Sequence, residues 1–304
     1  MQFFPVVSLK SVFDTIMESS AIQSGMKRAE ERNQNFGRIF GILALFRSTR
    51  FLNDSPTEET REIVEKCIEE ILRLYNQKRW LREICVQTLN TVLRSSHPDL
   101  TSLILKCSLP LFRESRVDED NEVLLVPIPL NPSSLLYLLE VQLFLHDKDV
   151  QFDDEEIERT FVKNAEVTPH RLCHLMSVYQ GSTFTYPTIH PLWPVSIEYI
   201  RVFAEDPEDS LMLWWDAVTT QVLSSSSERQ GLLCRWSVMC SVVLKVCRSL
   251  FPTVSTASLS RLLNKATVQL IRSVSGNSKN YLHKQALHLL HFFVTVLTGS
   301  VSHS

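Results

Sequence analysis

The sequence predicts an all-α fold, arranged as a HEAT- or armadillo-like helical-repeat solenoid, and three observations carry that prediction. Apolar residues recur at helical spacing in blocks roughly 20 to 25 residues apart. Glycine is scarce, with 7 in 304 residues, which argues against Gly-rich phosphate loops, tight β-hairpins and Rossmann turns, all of which need positive φ or close backbone approach. No period-two alternation of apolar and polar residues competes. Helix pairs at roughly forty-residue spacing are the pattern of a stacked array. No strict sequence period accompanies them, so a compact irregular helical domain is the alternative. The expected organisation is one α-solenoid segment over residues 1–304, with sub-boundaries at 114–131 and 180–194, belonging to a longer architecture.

The first strong helix lies in "ERNQNFGRIFGILALFRSTRF" (31–51). Phe36, Ile39, Phe40, Leu43, Ala44 and Phe46 are expected to form its buried body. Gly37 and Gly41 stand at G-x-x-x-G spacing and let a neighbouring helix come close, at a helix-propensity cost of about 1 kcal/mol each. Arg38, inside the apolar run, must snorkel or pair with a carboxylate. Arg47 and Arg50 sit near the C-terminus, where the macrodipole favours cations. These structural roles explain the arginines without nucleic acid.

In "SPTEETREIVEKCIEEILRLY" (55–75), Ser55 reads as the N-cap, Pro56 as the first helical residue and Glu58 as the partner closing a capping box. The stripe Ile63, Val64, Cys67, Ile68, Ile71, Leu72 and Tyr75 leaves an acidic outer face. The next stripe runs through Trp80, Leu81, Ile84, Cys85, Leu89 and Val92. Pro98 starts a helix, and Asn131 caps another with Pro132 at its first position. Further helices are expected near 154–166, 169–179, 194–204, 207–223, 228–250, 256–274 and 279–298. The prolines of "EVLLVPIPL" (122–130) favour an extended loop. The irregular segments 114–131 and 180–194 are the expected partner-binding loops.

The net charge of −3 is unevenly spread. Residues 1–94 carry +2, residues 95–228 carry −14, and residues 229–304 carry +9 with no acidic residue at all. An acid-free basic stretch beside an acidic one suggests phosphate or an acidic partner, unless the two regions face each other within one fold. The phosphate reading makes Arg229, Arg235, Lys245, Arg248, Arg261, Lys265, Arg272, Lys279 and Lys284 the candidate nucleic-acid contacts. The seven cysteines (Cys67, Cys85, Cys107, Cys173, Cys234, Cys240 and Cys247) show no C-x-x-C pattern and fall mostly on apolar helical positions. They are expected to be reduced, as in a cytosolic or nuclear protein. Neither a signal peptide nor a transmembrane span is expected.

Catalytic and metal chemistry finds little support. "HRLCH" places His170 and His174 one turn apart with Cys173 beside them, but further ligands are missing. His283, His288 and His291 fare no better. In "LSSSSERQ" (223–230), Ser226 or Ser227 is a helix cap with Glu228 in the first turn. The runs "DEDNE" (118–122) and "DDEEIE" (153–158) are contiguous and solvated, whereas catalytic carboxylates sit singly within apolar strands. No enzyme activity, cofactor or metal is expected.

Four stretches, in order, carry a family resemblance. "MKRAEERNQNFGRIFGILALFRSTRF" resembles the signature of the Myb-binding protein / DNA polymerase V (phi) family, approximately E-E-R, then G-R-L-F-G-L-x-A-(I/L)-x-R-S-G. The matching residues are Glu30, Glu31, Arg32, Gly37, Arg38, Phe40, Gly41, Ala44, Arg47 and Ser48, with Thr49 in place of the usual glycine. "NQKRWLREICVQTL" (76–89) is similar to the family's K-K-x-W-(L/I)-R-E-x-C segment, through Trp80, Arg82 and Glu83. "IHPLWPVSIEYI" (189–200) is similar to its H-x-(V/L)-W segment, through Trp193. "LWWDAVTTQVLSSSSERQGL" (213–232) resembles its F-W and L-F-S-S-S-x-E-R-K segment, through Glu228 and Arg229. Gln230 stands there in place of lysine.

The resemblance implies a HEAT-like helical protein of the nucleus and nucleolus, in which these signature residues play structural parts. It implies work in ribosomal RNA gene transcription and ribosome assembly, with pre-ribosomal RNA, rDNA chromatin, and assembly or transcription factors as partners. It implies no membrane and no small-molecule substrate. The polymerase activity in the family name is not expected, because paired aspartates in strand context and a Lys-rich nucleotide-binding helix are absent from the sequence. The alternative function is a generic α-solenoid adaptor that binds peptides of transport or trafficking partners in its groove.

Overall fold

The computed structural model describes residues 9–20, 27–47, 55–117, 123–146, 148, 152–164, 167–185 and 188–224. The fold is all-α, with two short β-hairpins among the described residues. The chain divides into two compact units, residues 1–164 and 165–304. Segment 114–131 lies inside the first unit and 180–194 inside the second. The helices expected at 228–250, 256–274 and 279–298 lie outside the described residues.

The first unit opens with helix α1 (Leu9–Ser19) and helix α2 (Arg28–Phe46). At the start of α2 the Lys27 N–H donates to the Glu30 carboxylate at 3.0 Å. Helix α3 (Glu58–Gln77) begins later than the Ser55 cap predicts. Thr57 is the N-cap, accepting from the Thr60 N–H at 3.2 Å. This start puts Glu58 and Glu59 together in the first turn, where the helix dipole favours carboxylates. Ile63, Val64, Cys67, Ile68, Ile71, Leu72, Leu74 and Tyr75 are buried along α3, and the helix packs against α1, α2 and the two helices that follow it.

Helix α4 (Arg82–Ser95) follows a tight turn, Arg79–Leu81. The turn Pro98–Leu100 leads into helix α5 (Thr101–Ser108). Helix α6 (Pro132–His146) is apolar nearly all round and buried along most of its length, and so forms the centre of the unit. Its start is the one the sequence predicts. The Asn131 Oδ1 accepts from the Ser133 and Ser134 N–H groups at 3.1 and 3.2 Å, and Tyr75 of α3 hydrogen-bonds the same side chain. The Ser108 and Tyr137 hydroxyls share a buried hydrogen bond of 2.9 Å. Around them Phe112 and Phe161 meet edge to face, 5.3 Å apart. A short turn, Glu155–Ile157, capped by Asp154, runs into a widened π-helical turn, Glu158–Val162.

The extended loop expected over 122–130 is in part a strand. β1 (Arg113–Val117) pairs antiparallel with β2 (Val123–Pro127). Pro127 closes β2 and Pro129 lies beyond it, so neither removes a donor from the middle of the ladder. The connection of residues 118–122 is long enough to need no glycine turn. The scarcity of glycine therefore did not exclude a hairpin.

In the second unit, helix α7 (Pro169–Thr183), helix α8 (Leu192–Phe203) and helix α9 (Pro207–Ser224) pack on one another. Their starts are fixed by side chains. Thr168, His190 and Asp206 accept from the backbone N–H groups of Arg171, Leu192 and Asp209 at 3.2, 3.1 and 3.0 Å. Trp193 and Trp214 meet edge to face at 5.5 Å within this core, and Trp215 is buried beside Trp214 along α9. A second, shorter hairpin, β3 (Phe184–Thr185) with β4 (Thr188–Ile189), joins α7 to the approach to α8. Among the described residues no helix is long and apolar enough to cross a membrane.

Candidate functional site

Helix α2 has two faces of different chemistry. Its buried stripe is Asn35, Arg38, Ile39, Ile42, Leu45 and Phe46. Phe40, expected in the core, is 56% exposed, and Ala44 is also exposed. The i, i+3, i+4, i+7 stripe turns toward α1, α3 and α4, which leaves Phe36 and Phe40 on the flank.

Arg38 on the buried face is fully paired. Its Nε donates to the Ser20 hydroxyl at 3.0 Å, one Nη donates to the Ser20 carbonyl at 2.9 Å, and the other meets the Glu70 carboxylate of α3. Arg73 adds a two-pronged contact to Glu70, at 2.7 and 2.6 Å. Burial opposes ionisation of Glu70, but the hydrogen bonds and charges of Arg73 and Arg38 outweigh it and hold the carboxyl below the usual carboxylate range. Removing either side of such a buried pair strands a charge.

The two signature glycines differ. A Cβ on Gly41 would sit 2.6 Å from the Ile16 Cγ2 of α1, so Gly41 permits a close helix contact. At Gly37 a Cβ would meet nothing within 4 Å, so the paired-glycine expectation holds for only one of the two. No contact requires glycine at position 37.

On the exposed flank, α2 and the turn between α3 and α4 form an open groove of about 1050 Å³. Arg28, Ala29, Glu31, Arg32, Asn33 and Phe36 line it from α2, and Lys78 and Trp80 line it from the turn. The Arg32 guanidinium lies 5.7 Å from the ring centroids of both Phe36 and Trp80, within cation–π range. Phe36 and Trp80 are themselves 5.5 Å apart, and Phe36 stacks with Phe40 at 6.1 Å. Trp80 is 49% exposed, which corrects its expected place on the buried stripe of α4: it sits in the turn before that helix and folds back over Arg32. Lys78 pairs with Glu31 and so ties the turn to α2. The result is an aromatic and cationic surface with a single carboxylate, already engaged by a lysine.

The other signature residues have structural surroundings. Arg47 is the exposed C-cap of α2, and its N–H donates to the Leu43 carbonyl at 3.0 Å. Arg82 lies over the Tyr75 ring at 5.1 Å and donates to the Tyr75 carbonyl at 3.3 Å. Glu83 stands in the first turn of α4, where partial burial raises its carboxyl above the usual value. Trp193 is wholly buried. Glu228 and the nine candidate nucleic-acid contacts, Arg229 to Lys284, lie outside the described residues, as do Ser226, Ser227, His283, His288 and His291.

His170 and His174 are exposed, while the Cys173 thiol donates to the Pro169 carbonyl of its own helix at 3.3 Å. Among the described residues no group of three His, Cys, Asp or Glu side chains is placed to hold a metal ion. Cys67, Cys85, Cys107 and Cys173 are free thiols. Burial raises the Cys85 thiol to about 12 and those of Cys107 and Cys173 to about 11, which removes the thiolate that a nucleophile needs.

Sequence reasoning did not find the groove. It treated Arg32 as part of a structural signature and Trp80 as core. The available signal was the Arg32–Phe36 spacing of one turn, together with an aromatic placed directly after two cations, Lys78 and Arg79, in a connector between helices.

Comparison with known proteins agrees with the family resemblance. The chain is 23% identical over 226 residues to a zebrafish (Danio rerio) protein named Myb-binding protein 1A-like protein. The aligned stretch covers 74% of this chain and 16% of that relative, so the chain spans about a sixth of its length. No solved structure matches. The family model described as DNA polymerase phi matches residues 1–300. With nearly its whole length inside that match, the chain is a member of the DNA polymerase phi family.

Proposed function

We propose that this chain is part of a non-enzymatic nucleolar scaffold serving ribosome biogenesis and rRNA gene transcription. In this reading its helices continue as a HEAT/armadillo-type array that holds nucleic acid and assembly or transcription factors on an extended surface. The observation that carries the reading is the family match across residues 1–300. The relative named for binding Myb supports a transcription factor among the partners. The acid-free stretch 229–304 supports direct contact with phosphate. A polymerase role is not proposed, since paired aspartates in strand context and a Lys-rich nucleotide-binding helix do not appear in the sequence.

The test is tagging of the full-length protein in cells, followed by imaging and RNA crosslinking with co-purification. Nucleolar signal together with recovery of pre-ribosomal RNA and assembly factors is expected. Exclusion from the nucleolus would overturn the reading.

A further inference from the structure

We propose that the groove between α2 and the α3–α4 turn receives an unstacked base of single-stranded RNA, laid against Trp80 and Phe36, with Arg28 and Arg32 meeting the flanking phosphates. The proposal deepens the scaffold reading, on which it rests for the presence of RNA, and assigns contact to a surface remote in sequence from the basic stretch 229–304.

Four features point to this occupant. The exposed rings of Trp80 and Phe40 and the half-buried ring of Phe36 between them form a run of π-faces in contact. Base–aromatic stacking is tolerant of sequence because every base has a π-face. Charge complementarity selects a polyanion, because Arg28, Arg32 and Lys78 line the groove against Glu31 alone, and Lys78 already satisfies Glu31. With Arg32 lying against two rings, part of its freedom is already restricted before a ligand arrives, and less is lost in ordering it. Finally, Asn33 is exposed on the groove wall, and its amide can both donate to and accept from a 2′-hydroxyl, the group that separates RNA from DNA.

The experiment uses the 304-residue chain and fluorescence anisotropy with labelled single-stranded RNA. DNA of the same sequence and a phosphoserine peptide run as parallel ligands. Trp80→Ala is expected to weaken RNA binding about tenfold, as loss of one base–aromatic stack does, and Trp80→Phe to restore most of it. Ultraviolet crosslinking is expected to attach RNA to the peptide containing Trp80. Trp80 is half exposed and packs on Phe36 and Arg32 at the surface, so Trp80→Ala should lower the melting temperature slightly, and an unchanged circular dichroism spectrum serves as the control for folding.

If wild type and Trp80→Ala bind RNA equally, the inference fails while the scaffold reading stands. If the wild-type chain binds no RNA at low salt, the inference fails together with direct contact by residues 229–304. If only the phosphopeptide depends on Trp80, the groove belongs to a protein partner and the inference is overturned.

Discussion

Arg32 and Arg38 stand less than two turns apart on α2, and their surroundings are opposite. Arg38 is enclosed, with each branch of its guanidinium assigned to an oxygen of α1, α3 or Ser20. Arg32 is open to solvent and touches rings rather than carboxylates. Both belong to the same signature stretch, so a shared motif does not imply a shared job. One cation locks three helices together, and the other shapes a surface.

The largest break in that comparison comes from stranding the enclosed charge. Glu70→Ala should lower stability in chemical unfolding by about 3–5 kcal/mol, because Arg38 stays buried without its carboxylate. Arg38→Met combined with Glu70→Leu should recover most of the loss, since an apolar pair leaves no charge behind. A double variant no more stable than Glu70→Ala would show that the pair is not the lock.

Acid acts on the two units over different ranges. The folded-state pKa of Glu70 is depressed, so its contribution is full above the ordinary carboxylate value of 4.5 and is lost as pH falls below that value. In the second unit, burial pushes the His190 imidazole down from 6.5 to about 4. The unfolded chain therefore binds more protons between those values, and the contribution of neutral His190 is lost as pH falls through that window. Hydrogen exchange should show α7–α9 weakening between about pH 6 and about pH 5 while α2–α3 remains protected. Simultaneous loss in both units would contradict the assignment.

The glycines provide the smaller contrasts. Gly41→Ala should destabilise by about 1–3 kcal/mol, since its methyl collides with the branched Ile16 and α1 must shift. Gly37→Ala should stabilise by about 0.5–1 kcal/mol, because nothing opposes the new methyl and the unfolded chain loses freedom. Thermal unfolding of the two variants side by side decides both, and equal shifts would show that α1 does not sit against Gly41.

Helix identity was legible wherever burial wrote a period into the sequence. The stripe from Ile63 to Tyr75 and the Asn131 cap of α6 are two such places. Boundaries were less legible, because Ser55 and Thr57 both carry capping hydroxyls and only the folded backbone chooses between them. The pairing of β1 with β2 escaped notice because "VLLVP" has no alternation to reveal it. Arg38 announced its need for a carboxylate through its apolar neighbours, yet nothing local could name Glu70. The groove was hidden for a different reason. Its walls come from segments some fifty residues apart in sequence, and an aromatic at the end of an apolar stripe looks like core until the turn is known.

The span between Arg38 and Glu70 also sets an order of events during synthesis. Glu70 leaves the ribosome 32 residues after Arg38, a delay of roughly 2 to 6 s at ordinary elongation rates. For that interval the Arg38 guanidinium lacks its Glu70 partner, so the nascent pair of helices has reason to stay loose. The emergence of α3 supplies the anion and the apolar face together, and from that point the three helices can close as one.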